Sequence, residues 1–183
     1  MNKNFIIILF AFGILLFPKK SFSQVSGVKI NAPLLLVGVL NAEIETAISP
    51  SFSFNTAIHC YPFKKVIFTD KEMTGFTIQP GLRYWIRGLY SGCFIGAYFT
   101  GGMGAFTSSR HYFNVLGLGA GASFGYAWMI SPRFNLEFEV GGSLAYVRYD
   151  ATPLDENRTD ARYGRSKIAP IPSKLGVNLV YLF

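Results

Sequence analysis

The sequence predicts an all-β fold, an eight-stranded antiparallel transmembrane β-barrel of the outer-membrane type preceded by a cleavable signal peptide, and three observations predict it. First, the chain ends in a strand that alternates up to a bare aromatic residue: Leu175, Val177, Leu179, Tyr181 and Phe183 share one face. Second, the chain opens on Lys3 and an unbroken apolar run from Phe5 to Phe17. Third, half of the residues are hydrophobic and only 15% are charged. No later stretch is apolar enough for a transmembrane helix, so the apolar residues must be spread over alternating strands.

At the N-terminus, Ser21-Phe22-Ser23 offers small residues at the two positions a signal peptidase inspects, which places cleavage before Gln24. The expected organisation is therefore a signal peptide over residues 1–23 and a barrel over 24–183. The apolar run is shorter than the roughly 20 residues a spanning helix needs, and Lys19 and Lys20 follow it directly. Neither cysteine lies at the cleavage point to accept a lipid anchor. Without Lys3, Lys19 and Lys20 the formal charge of +7 becomes +4. That charge comes with no Lys/Arg-rich run, phosphate loop or recognition module, so nucleic acid is excluded as a partner. A mildly basic exterior instead suits contact with lipopolysaccharide.

About eight period-2 segments follow: Val28 to Leu34, Val39 to Ile48, Phe52 to Cys60, Thr74 to Ile86, Cys93 to Met103, Phe113 to Met129, Arg133 to Val147 and Lys174 to Phe183. Connections at Ser49-Pro50, Arg87 to Gly92 and Ile130 to Pro132 are short, and those at Tyr61 to Met73, Gly104 to Tyr112 and Arg148 to Ser173 are long. Short turns facing the periplasm and long loops facing outside give this order. Only the hairpin at Leu35 to Gly38, expected outside, is tight. Asp155 to Arg165 is thus expected at the cell surface and Ser131 in the periplasm.

The sixth segment sets the parity. Leu116, Leu118, Ala120, Ala122, Phe124, Tyr126 and Trp128 alternate with glycine, serine and alanine, so one face meets lipid and the other is nearly bare. A soluble strand would carry polar residues on that second face. Glycines there make room for polar side chains from the facing wall. The same parity sends a polar set inward: Lys29, Glu43, Glu45, His59, Gln79, Arg83, Glu137, Glu139, Lys174 and Asn178, with Asn31, Asn41, Asn135 and Ser143 beside them. Four carboxylates against three cations and a histidine make a charge-paired plug, and so small a barrel is filled by its side chains rather than open as a pore. Trp85 also falls inward, which suggests a bulge that returns it to an interfacial belt. On this parity Leu118, Leu136 and Leu179 point into hydrocarbon, and Leu118→Arg is expected to harm insertion far more than Gly119→Ser.

These residues resemble a known family. Gln79-Pro80-Gly81-Leu82-Arg83-Tyr84-Trp85, the Gly119-to-Asp150 segment with Gly125-Tyr126-Ala127-Trp128 and Asn135-Leu136-Glu137, and the ending Pro172-Ser173-Lys174 to Phe183 look like the Bacteroidota outer-membrane family catalogued as domain of unknown function 3575. Lys29, Asn31, Asn41 and Glu43 suit its N-terminal pattern. The resemblance implies a small exported barrel, some of whose relatives work beside fimbrial or other surface-assembly systems. It brings no activity. Relatives that add a peptidoglycan-binding domain imply a role not expected of a chain that stops at Phe183.

Two other functions compete. A lipid-modifying outer-membrane hydrolase or acyltransferase needs a nucleophile, a base and an orienting group in hydrogen-bond reach. His59 near a strand end and His111 beside Ser108 and Ser109 recruit no carboxylate from sequence, and two histidines without Cys or acidic spacing make no metal site. A soluble lipocalin-like carrier would turn its apolar face inward, against the parity above. No catalytic residue, cofactor or metal is assigned. The expected partners are outer-membrane lipid and lipopolysaccharide, the barrel-assembly machinery through the C-terminal strand, and a surface-assembly protein. Cys60 and Cys93 fall at opposite rims, too far apart for a disulfide, which needs Cα atoms within about 7 Å.

Overall fold

The computed structural model describes residues 25–62, 73–108, 111–153 and 162–183, with Arg162 described by its backbone alone. Residues 1–23, expected as a signal peptide, lie outside the described residues. The strands are β1 (Ser26–Asn31), β2 (Leu40–Ser49), β3 (Phe52–Tyr61), β4 (Met73–Trp85), β5 (Gly92–Thr107), β6 (His111–Met129), β7 (Phe134–Pro153) and β8 (Arg162–Leu182). Each pairs antiparallel with the next, and β8 returns to β1, so the eight strands form a closed ring. Ser26 and Phe183 exchange backbone hydrogen bonds of 3.1 and 2.9 Å where the ring closes. Short turns share this terminal end, and the longer excursions belong to the far end.

Alternation holds on β6 and β7, which pair without a register shift from His111↔Pro153 to Met129↔Asn135. The partition it produces is the reverse of a water-soluble protein's. Leu118, Leu144 and Leu175 are 65%, 65% and 76% exposed, whereas Lys29, Arg83 and Glu45 are 1%, 1% and 0% exposed. No described helix is long and apolar enough to cross a membrane, which bears on helices only.

Four features differ from the expectation. The first strand stops at Asn31 instead of Leu34, and a five-residue helix, α1 (Ala32–Leu36), follows. Asn31 caps it by accepting the Leu34 N–H at 3.2 Å, Pro33 suits its first turn, and Gly38 at φ +85° ends it. Local capping thus overrides the weak alternation of Pro33-Leu34-Leu35-Leu36. Most of the connection read as Gly104 to Tyr112 is strand, with β5 and β6 paired as far as Thr107↔Tyr112 and residues 109–110 outside the described set. Most of Arg148 to Ser173 is strand: β7 runs to Pro153 and β8 begins at Arg162, while residues 154–161 lie outside the described set.

Finally, Trp85 sits at no bulge. It pairs regularly with Phe94, points inward at 1% exposure, and packs with Phe94 at 4.8 Å and Tyr90 at 5.6 Å between ring centroids. A β-bulge does occur on β8, between Gly141↔Lys174 and Gly142↔Pro172, leaving Ser173 without an opposite residue. From Lys174 onward the even-numbered residues are inside, and before Ser173 it is the odd-numbered ones.

Glycine positions mark the tightest approaches. A Cβ on Gly125 would overlap the Phe94 ring, and one on Gly119 would lie 2.7 Å from Leu144 O and 2.9 Å from the Ala145 Cα. Gly119→Ser is therefore no tolerant control for the outward apolar face, because backbone rather than a flexible side chain blocks it. Cys60 faces Phe76 at the far end and Cys93 faces Tyr126 at the terminal end, and both thiols are free.

Candidate functional site

The interior falls into three levels, set by which inward residues the register aligns. At the terminal end Trp85, Tyr90, Phe94, Ala127, Val180 and Leu182 form an apolar seal. Tyr90 comes from the β4–β5 turn, which turns back into the ring with Tyr90 itself at φ +60°. A non-glycine residue held there costs on the order of 1–3 kcal/mol. Its anchors offset that: the hydroxyl donates to Val25 O at 2.9 Å, and its carbonyl accepts Asn135 Nδ2 at 2.7 Å. Burial, reinforced by the Glu45 carboxylate, holds the Tyr90 hydroxyl above its ordinary pKa and keeps it a donor.

Above the seal lies the charged level. Lys29 Nζ reaches Glu137 at 2.6 Å, Glu43 at 3.5 Å, and Glu45. Arg83 is the hub, with Nη1 at 2.6 Å from Glu45 and 3.2 Å from Glu137, and Nη2 at 2.6 Å from Glu139 and 2.9 Å from Glu43. Lys174 closes the set at 3.2 Å from Glu139 and 3.8 Å from Glu43. Residues from β1, β2, β4, β7 and β8 thus meet across the barrel axis. Buried charges persist when paired and hydrogen-bonded, and further hydrogen bonds run from Asn55 to Glu43 at 3.1 Å, from Asn178 to Glu137 at 3.3 Å and from Ser53 to Glu45, while Arg83 Nε has no hydrogen-bond partner among the described residues. The Arg83 guanidinium also stacks 4.6 Å over the Phe94 ring, joining this level to the seal.

Of the ten residues the sequence singled out, nine are buried in the interior, and His59 is half-buried at its upper margin. Lys29, Glu43, Glu45, Arg83, Glu137, Glu139, Lys174 and Asn178 join one network. Gln79 and His59 stand above it: Gln79 Nε2 donates to Thr100 Oγ1 at 3.3 Å and Ser173 O at 3.2 Å, and His59 Nδ1 is 3.1 Å from Thr77 Oγ1. Ser53, Asn55, Tyr90, Phe94, Tyr98 and Ser173 were not singled out. Ser53 and Asn55 alternate with Phe52 and Phe54, a legible signal in short polar side chains. Tyr90 carries no periodic signal at all.

A cavity of about 50 Å³ among Asn31, Asn41, His59, Lys174 and Asn178 has room for a few waters, at roughly 10–15 Å³ each. Among the described residues no group of three or more His, Cys, Asp or Glu is placed to hold a metal ion. His59 meets a threonine hydroxyl rather than an acid, so the geometry aligns no nucleophile, base and orienting group there. What the arrangement does chemically is to lock five strands together and fill the bore.

No curated protein and no solved structure matches the chain. The model of the family described as "Protein of unknown function (DUF3575)" matches residues 5–183, nearly the whole sequence, and the chain therefore belongs to that family.

Proposed function

We propose that this protein is an exported outer-membrane β-barrel of a Bacteroidota-type bacterium, with a structural or interaction role at the cell surface and no open pore. The observation that carries this is the inverted partition, apolar outside and ion-paired inside, which a lipid surround would reward and water would not. A soluble carrier needs the opposite exterior. Residues 1–23 supply the export signal, and the alternating C-terminal strand is the feature barrel-assembly machinery engages. The terminal end, with its short turns, faces the periplasm.

The interaction role rests on uneven strand lengths. A tilted strand crosses the hydrocarbon in about 9–11 residues, but β5 to β8 have 16, 19, 20 and 21. About half of this wall stands beyond the bilayer. It carries Arg148 on its outer face, while Arg165 and Lys167 are exposed on the inward side of the far-end rim, with the Lys167 ammonium 6.0 Å over the Tyr149 ring. Such a wall suits lipopolysaccharide phosphates at its base and a surface-assembly protein above it.

Purified protein in planar bilayers should show no open-channel conductance across the physiological voltage range. Steady, ion-selective conductance by the wild-type chain would overturn the filled-bore account and recast the charged level as a conduction path.

A further inference from the structure

The third interior level is unlike the other two. Above the plug lies a cavity of about 480 Å³, within the roughly 300–1,000 Å³ of small-molecule sites and about three times the ~150 Å³ apolar cavity that admits benzene. Leu34, Val115, Val147, Ile171 and Leu175 line it, and glycines at 102, 104 and 117 widen it. Its floor is polar and mostly paired: His59 with Thr77, Gln79 Nε2 with Thr100, and Tyr98 with Ser173 at 2.7 Å, which in turn donates to Ser143 at 2.9 Å, leaving Gln79 Oε1 as a buried acceptor without a partner among the described residues. The floor thus offers a ligand one acceptor, and the walls, which make up most of the lining, favour an apolar chain.

Beside this cavity the hydrogen-bonded ladder is interrupted, and the short helix α1 rather than a strand lies against β8. β1 pairs with β8 only from Gly27↔Leu182 to Asn31↔Asn178, because β1 ends where α1 begins. From Val177 back to Arg162, the β8 edge on that side pairs with no described strand. A single bridge, Asn31 Nδ2 to Leu175 O at 3.2 Å, spans the start of the gap. Pro170 and Pro172 remove two backbone donors from this stretch, and proline is tolerated in a sheet at an unpaired edge. Leu175 lines the cavity and is also 76% exposed on the outer face, so cavity and outer face meet at this seam. Leu175 lies opposite Val140, about halfway up the apolar belt.

We propose that the far half of the barrel binds one acyl chain of an outer-leaflet lipid, which enters sideways through the seam between α1 and the unpaired edge of β8. This rests on the outer-membrane placement proposed above. A hydrocarbon chain fits because the opening sits at the depth of the outer leaflet's own chains. The headgroup then remains outside, near Arg148 on the outer face of β7.

The experiment reconstitutes the full mature chain in phosphatidylcholine vesicles containing a phospholipid with a diazirine near the end of one acyl chain, followed by irradiation and peptide mapping. Adducts are expected on inward-facing Val115, Val147 and Ile171 as well as on outward-facing Val140 and Leu144. Gly117→Phe should cut the inward adducts at least fivefold and spare the outward ones. Gly117 has the space, since a Cβ there meets nothing nearer than Val147 Cγ2 at 3.8 Å. Val147→Phe is the second variant should the first fail to show the heat-modifiable gel shift of a folded barrel. Outward adducts alone, or inward adducts that survive the filling variant, would overturn the acyl-chain site while leaving the membrane placement intact. Loss of the outward adducts as well, in a folded protein, would overturn the membrane placement itself.

Discussion

Arg83→Met is expected to destabilise the folded barrel by about 3–5 kcal/mol, the usual consequence of removing one partner from a buried ionic set. Arg83 touches all four carboxylates, and without it Glu43, Glu45, Glu137 and Glu139 share only Lys29 and Lys174. The methionine also gives up the cation's contact with the Phe94 ring. Urea unfolding from lipid vesicles, followed by the fluorescence of Trp85 and Trp128, measures the loss. Glu139→Gln should cost less in the Arg83→Met background than in the wild type, because only the Lys174 pair is then left to lose and repulsion among the remaining carboxylates is relieved. Additive effects of the two changes would mean that the plug is a set of independent pairs.

On the proposed outer-membrane placement the second large effect belongs to the outward apolar face, and the register moves it from Leu118 to Val140. Leu118 lies opposite Tyr146, and Trp128 opposite Leu136. On that placement these aromatic levels bracket the length of tilted strand that would span hydrocarbon, about 9–11 residues, and make Leu118 a rim position. Val140, opposite Phe124 and 57% exposed, lies midway. Val140→Arg should cost on the order of 2–4 kcal/mol and sharply reduce assembled barrel in outer-membrane fractions, whereas the same change at Leu118 should cost less. Equal effects at the two positions would mean that the belt is placed wrongly along the strands.

Alternation made the two long faces legible because a strand's period of two leaves little freedom once large apolar residues occupy one side, as in β6 and β7. The same parity sent Lys29, Glu45, Arg83 and Glu137 inward without any knowledge of their partners. Legibility failed where a local interaction breaks that period. At Asn31 a side-chain cap starts a helix that alternation would not predict, and this one event also creates the seam. At Ser173 the bulge inverts the parity, so Ile168 to Pro172 reads out of phase with the strand that follows and, with two prolines, looks like a loop. Tyr90 was invisible for a third reason: a turn residue that folds back into a barrel has neither period nor neighbour in sequence. Gly119 showed the limit of composition, since a bare face does not say whether the space above it is open or already taken by backbone.

The placement of the apolar exterior against lipid is the claim on which the rest depends. A nitroxide at Leu118, Val140 or Leu175, in protein reconstituted into vesicles, reports the local solvent through its collisions with oxygen and with a water-soluble nickel complex. At all three positions oxygen collisions should exceed nickel collisions, most strongly at Val140, and the order should reverse at Tyr163 on the far-end wall. Nickel collisions prevailing at Val140 and Leu118 as well would mean that water surrounds the barrel, and would contradict the account.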